Sequence, residues 1–406
     1  MSGPLSHVRV LDLSRIMAGP WASQILADLG ADVIKVERPG VGDDTRGWGP
    51  PFLADTQGRP TTDSGYFLSV NRGKRSITVD LSDPDGRAIV RGLAARCDIV
   101  LENYKFGDMA RFGLAYEDLK QVNPKLIFAS VTGFGQTGPR REQAAYDFMI
   151  QAMGGLMSVT GERDDAPGGG PQKVGVPIVD LMTGMYTAVA VLAALANRDQ
   201  TGEGDYIDLA MLDVQTAFLA NQAMNYFVSG KAPVRRGNSH PNIQPQDVYV
   251  CRDGHLAVAV GNDGQFVKFA QVIGRPELGE DSRFKRNADR VRNLAALVEI
   301  IKAALIEHDR AYWAERFDAA GVPASAINTI PGLFEEPQVV ERGMLRQIPH
   351  PTAGTVPQVV SPMRFQNAAL SFDRPPPLLG EHTAEVLAEL GLSPGEIADL
   401  YDRGVL

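Results

Sequence analysis

Two rhythms of apolar and polar positions alternate along the first 140 residues. Short apolar runs recur as VRVLDL (Val8 to Leu13), DVIKVE (Asp32 to Glu37), SITVDL, DIVLENY and LIFASVTGFG (Leu126 to Gly135). Between them lie stretches with helical spacing, such as WASQILADLGA and the segment opening at DPDG. Continuous apolar runs separated by amphipathic helices predict parallel βαβ units and a doubly wound, Rossmann-like sheet. Ligands of such sheets sit at the carboxyl ends of the strands.

Further on, Tyr146 to Thr160 and Leu181 to Asn197 read as helices, and TGEGDYIDLAM as a turn and another strand. Composition shifts near Val228. Ser229 to Asp247 is polar and rich in Gly, Pro, Asn and Arg, as a linker or binding loop is. VYVCRDG and HLAVAVG follow as a strand pair turned at Asp253-Gly254, with helical patterns after them. The predicted organisation is a large Rossmann-like domain over 1–225, a smaller α+β domain over 232–330, a linker over 331–360 and a C-terminal segment over 361–406.

Bulk properties narrow the class. A chain of 406 residues with 44% hydrophobic and 22% charged content reads as an ordinary globular protein of two or more domains. Its two cysteines, Cys97 and Cys251, form no CxxC pattern, which argues against a disulfide framework or a zinc site. No signal peptide is legible, the longest apolar stretches look too short to span a bilayer, and a cytoplasmic protein is expected. A net charge of −9 gives no attraction to nucleic acid or an anionic membrane, so an anionic ligand needs local positive contacts.

The most distinctive polar residue is Asp180 in VGVPIVDLMTG (Val174 to Gly184). It stands where an extended run gives way to a helical pattern, a favoured place for a helix N-cap. Its apolar flanks would also leave a partly desolvated and therefore more nucleophilic carboxylate, so the stretch by itself allows both roles. GxSxG, GxxxxGK[ST] and HExxH are absent, no two of the six histidines have metal-ligand spacing, and the first βα turn, LSRIMAGP, lacks GxGxxG.

Across nearly the whole chain the motifs resemble those of the class III CoA-transferases. The resemblance rests on AGPWASQILADLGADVIKVERP (Ala18 to Pro39), NRGKRSITVDL (Asn71 to Leu81), DIVLENYKFG (Asp98 to Gly107) and GFGQTGP (Gly133 to Pro139). It continues through YDFMIQAMGGLMSVTG (Tyr146 to Gly161), VGVPIVDLMTG, GNSHPN (Gly237 to Asn242) and PLLGEHTAEVL (Pro377 to Leu387). It implies that Asp180 is the nucleophile, passing through an acyl anhydride and an aspartyl-CoA thioester. The implied substrates are an acyl-CoA, expected to be succinyl-CoA, and a small acid such as glutarate, itaconate, mesaconate or malate. No tightly bound cofactor and no metal are expected, and the implied assembly is an interlocked homodimer whose large domain is completed by the C-terminal segment. Two other readings stay open: a 2-methylacyl-CoA racemase, and a non-catalytic CoA-binding protein. Racemases of the superfamily carry a histidine at the place of Tyr146, which favours transfer here.

By the same resemblance Arg38, Asn103, Tyr104 and Arg111 fall on CoA-contact segments, with Met17 and Ala18 beside the adenosine end and Tyr146 near the thioester. Arg75 belongs to a basic cluster with Arg72 and Lys74, which reads either as a solvated face or as further phosphate contacts. Ser82 and Ala144 replace lysines of formyl-CoA transferase, and its glycine-rich lid is missing, which argues against oxalate as acceptor. His240 and Arg236 are the expected acceptor-binding residues.

Overall fold

The computed structural model describes residues 3–406. The predicted sheet is present. Its strands are β1 (Arg9–Asp12), β2 (Asp32–Glu37), β3 (Lys74–Thr78), β4 (Ile99–Glu102), β5 (Ile127–Thr132) and β6 (Asp205–Ala210). All pairings between them are parallel, in the order β3-β2-β1-β4-β5-β6. Val10 pairs with Val33 on one side and Ile99 on the other. The order reverses between β1 and β4, and the crevice beyond their carboxyl ends is where an open α/β sheet takes its ligand.

Alternation along the strands feeds two apolar layers. Leu11, Leu13, Ile34, Ile77 and Val100 face Ile89, Val90 and Leu93 of helix α2 (Pro84–Ala94), together with Val386, Leu387 and Leu400 from the C-terminal segment. On the other face, Val10, Val33, Ile99 and Ile127 meet Ala22 and Leu26 of α1 (Ala18–Asp28) and Val191, Ala194 and Leu195 of the long helix Ile178–Thr201. This unit comprises 1–155, 174–220 and 338–406. Within it the stretch expected as a linker contains an antiparallel hairpin, Leu345–His350 with Gly354–Val359.

Two expectations need correction. The helix Ile178–Thr201 has 24 residues and is long and apolar enough to cross a membrane by length and composition, contrary to the estimate from shorter apolar runs. In this fold its apolar side belongs to the sheet core. The basic cluster at Arg72–Arg75 is not a solvated face. Arg72 pairs with Asp28 at 2.7 Å and Lys74 with Asp12 at 3.1 Å, all four buried. Charged groups remain inside a fold only when such partners compensate their lost hydration.

The second unit comprises 156–173 and 221–337, so it starts earlier and ends later than 232–330 and includes a segment from before the long helix. Its three antiparallel strands, Gln246–Cys251, Gly254–Ala259 and Ala324–Ala326, pack on helices through Tyr249, Leu256, Phe266, Phe269, Trp313 and Phe317. The rings of Phe269 and Phe317 stack at 5.4 Å.

Candidate active site

The loops after β1 and β4 meet at the switch point. Asn103, the first residue after β4, accepts the Arg15 N–H through Oδ1 (2.8 Å) and donates from Nδ2 to the Arg15 carbonyl (2.6 Å). Beneath them the buried Lys35 ammonium donates to the Ser14 carbonyl and to Asp43, whose carboxylate accepts the Ile16 N–H. These bonds hold Ile16 at φ 73°, a left-handed conformation that a β-branched residue adopts only under constraint. The chain then enters α1 at Ala18, with no side-chain cap over the first N–H groups of that helix.

Asp180 stands beside this entry. A Cβ on Gly184 would lie 2.6 Å from the Ala18 carbonyl oxygen, so glycine is what lets the long helix touch the start of α1. Asp180 is one turn earlier on the same face. The helix begins at Ile178, with Pro177 at the N-cap position, which places Asp180 in the third helical position and corrects the N-cap reading. The capping acceptor comes from elsewhere. Asp147, first residue of a short helix Asp147–Met153, accepts the N–H of Val179 (2.7 Å) and of Asp180 (3.2 Å) through Oδ1. Its Oδ2 accepts Gln151 Nε2 at 2.6 Å, and Gln151 Oε1 accepts the Val174 N–H.

The Asp180 carboxylate is therefore not used by its own helix, and none of the hydrogen bonds among the described residues ends on it. Burial, and then the charge of Asp147, push its pKa up to about 7. Tyr66 is the other titratable neighbour. Burial first, then the charges of Asp180 and Asp147, raise its phenol to about 12, so it stays protonated. Trp48 packs edge-on against Tyr66 at 5.1 Å. Asp147, Tyr66, Trp48 and Gly184 were not singled out from the sequence. The one signal for Asp147 is its place inside the motif that begins at Tyr146.

The remaining expected residues divide. Met17 and Ala18 are buried at the α1 entry. Arg38 pairs with Asp44 at 2.7 Å with half its side chain in solvent, and Arg111 pairs with Asp108 at 3.0 Å on an exposed helix. Tyr104 packs on Phe112 under the Arg15 guanidinium. Tyr146 is exposed at the N-cap of its short helix. Arg75, by contrast, is buried and bonded to Asp32, Glu385 and Glu389, which commits its guanidinium to the fold and corrects its reading as a CoA contact. Asn103 likewise spends one donor and one acceptor on the Arg15 backbone.

In the second unit, His240 Nδ1 accepts the N–H groups of Asn242 (3.1 Å) and Ile243 (3.0 Å), which puts the proton of the neutral ring on Nε2. Arg236 is exposed, while its neighbour Arg235 is tied to Asp164.

The sheet has the Rossmann order without a dinucleotide fingerprint, and an acid free of hydrogen bonds from the described residues stands at a helix start. The chain belongs to CoA-transferase family III, whose family pattern matches residues 5–383. It is 46% identical to the succinate–glutarate CoA-transferase of Agrobacterium fabrum, over 95% of this chain and 96% of that protein. To the succinyl-CoA:glutarate CoA-transferase of Mus musculus it is 43% identical, over 99% of this chain and 90% of the other. Among solved structures, a CAIB/BAIF family protein from Brucella suis superposes with a TM-score of 0.84 at 47% identity, covering 96% of this chain and 100% of that one.

Proposed function

We propose that this protein transfers CoA from succinyl-CoA to a small dicarboxylic acid, glutarate foremost, with Asp180 as the nucleophile. The observation that carries the reading is the Asp180 carboxylate itself: partly buried, free of hydrogen bonds from the described residues, and relieved of capping duty by Asp147. Relatives above 40% identity over nearly full length are named for succinate or succinyl-CoA together with glutarate, which supports the choice of substrates.

In the proposed cycle an Asp180 oxygen attacks the thioester carbon of succinyl-CoA. The C–S bond breaks, the charge leaves as CoA thiolate, and Asp180 holds a neutral mixed anhydride. The thiolate attacks Cγ of Asp180, expelling succinate and leaving an aspartyl-CoA thioester. An acceptor carboxylate attacks the same carbon and displaces thiolate. That thiolate then takes the acceptor's acyl carbon and restores the Asp180 carboxylate. Two easier displacements thus replace each hard one. Uncapped N–H groups in the first turn of α1 are the proposed donors to the tetrahedral oxyanions.

Arg38 and Arg111, each with solvent-facing N–H groups, are proposed for the CoA phosphates, and Met17, Ala18 and Tyr104 for the walls of the same cleft. Tyr146 is proposed beside the thioester. For the acceptor's second carboxylate we propose His240 through Nε2 and the exposed Arg236. A homodimer, interlocked as the family resemblance implies, is part of the proposal. Support comes from the exposed apolar side chains Phe148, Met149, Met153, Met185, Tyr186 and Val189, more than an isolated surface ordinarily shows.

The test is incubation with succinyl-CoA and a panel of carboxylic acids, followed by mass spectrometry of the CoA pool. Glutaryl-CoA is the expected product. Failure of every acid to acquire CoA, with α-proton exchange in a 2-methylacyl-CoA, would assign the site to isomerisation instead.

A further inference from the structure

Asp147 and Asp180 come from segments 33 residues apart and meet at the start of the long helix. One carboxylate grips the backbone on which the other stands. Asp147 Oδ1 takes the N–H of Asp180 and of its predecessor, while Gln151 fixes the second oxygen. Gln151 is fully buried, so the grip is set by packing and is not a loose surface contact. Helix starts are usually capped by a nearby Ser, Thr, Asp or Asn. Here the cap is brought in from another helix, and the acid already at the helix start is left unengaged.

We propose that Asp147 is a positioning residue whose fixed negative charge biases Asp180 toward its covalently modified, neutral forms. This rests on Asp180 being the nucleophile. The argument is one of charge balance. With Asp180 free, two negative charges stand near each other at the helix start. With Asp180 held as anhydride or thioester, its charge has left on thiolate or on the departing acid, and only that of Asp147 remains. A like charge nearby therefore disfavours the free carboxylate and not the acylated one.

Among the described residues, no cationic side chain offsets this charge. Tyr66, from the helix Gly65–Leu68, is a protonated phenol, and where α1 meets the long helix it contributes Ala18 and Trp21, which carry no charge. Burial and the charge of Asp147 both disfavour the ionised form of Asp180. The same charge makes Asp180 more basic, and so a better nucleophile once ionised. Asp147 itself touches no reacting atom. It acts through the Asp180 backbone and through its field.

Asp147→Asn removes the charge and keeps an amide oxygen for the N–H groups of Val179 and Asp180, while its new NH2 faces Gln151 Nε2 and gives up that contact. The acidic limb of the exchange rate against pH should move down by about one unit. In succinyl-CoA/succinate mixtures without acceptor, the fraction of enzyme held as Asp180-CoA thioester, read by intact-protein mass spectrometry, should fall several-fold. Asp147→Glu keeps the charge and disturbs the grip, so it should retain the wild-type acidic limb while kcat falls. An acidic limb and thioester fraction both unchanged in Asp147→Asn would overturn the proposal. If that variant does not fold, a limb displaced downward by a full unit in Asp147→Glu would overturn it equally. The nucleophile reading is checked apart from this one: absence of any adduct on Asp180 in the wild-type protein would refute that reading, whatever the Asp147 variants do.

Discussion

Asn103 closes on the backbone of Arg15 from both sides, accepting its N–H and donating to its carbonyl across 88 residues of sequence. The pair ties the ends of β1 and β4 together at the place where the sheet order reverses, and it holds the strained Ile16 turn ahead of α1. Asn103→Ala removes both bonds and should lower stability by about 2 kcal/mol, at about 1 kcal/mol per bond. Because the freed loop carries Met17 and Ala18, KM for acyl-CoA should rise as well. Thermal melting and steady-state kinetics on the same preparation read both effects.

Arg38 and Arg75 separate binding from folding. Arg75→Met breaks a buried guanidinium from three carboxylates that reach solvent in part, and should cost about 2 kcal/mol while leaving KM for succinyl-CoA near the wild-type value. Arg38→Ala touches an exposed side chain whose partner Asp44 keeps Arg15. Its stability should stay within about 0.5 kcal/mol, with KM for the CoA substrate raised about tenfold by loss of a phosphate contact. The reverse pattern would exchange the two assignments.

The raised pKa of Asp180 links folding to pH with a definite sign. From its ordinary value of 3.8 up to about 7 the folded state holds a proton that the unfolded state has released. Stability from this group is therefore full below about pH 4 and is lost as pH rises through about 7. Asp180→Asn avoids that loss. Its melting temperature should match wild type at low pH and exceed it by a few degrees at pH 8, while exchange activity is abolished. Equal melting curves at pH 8 would mean that Asp180 is not held in a charge-averse site.

How far the sequence revealed this arrangement depends on the range of each interaction. The sheet was legible because strands covered on both faces are mostly apolar, as in Val8 to Leu13 and Leu126 to Val131. Arg72, Lys74 and Arg75 read equally as a solvated face or as phosphate contacts because their partners lie far away in sequence, Asp28 at 44 residues and Asp12 at 62. Asp180 looked like a cap for the same reason. Its helix starts two residues before it, directly after Pro177, and the acceptor that caps the helix arrives from Asp147. The helix expected over Tyr146 to Thr160 breaks at Gly154-Gly155, where Gly155 has φ 83°, and the polypeptide passes there from one unit to the other. The geometry that makes Asp180 available did not lie in any single motif.

The central claim is that Asp180 carries CoA during turnover. Hydroxylamine added to the enzyme turning over succinyl-CoA and glutarate should convert the activated side chain to a hydroxamate, located by peptide mass spectrometry. The account predicts modification of the peptide containing Asp180, dependent on succinyl-CoA, with Asp180→Ala inert in exchange yet still binding CoA. Full exchange by Asp180→Ala, or a hydroxamate on another carboxylate, would contradict it.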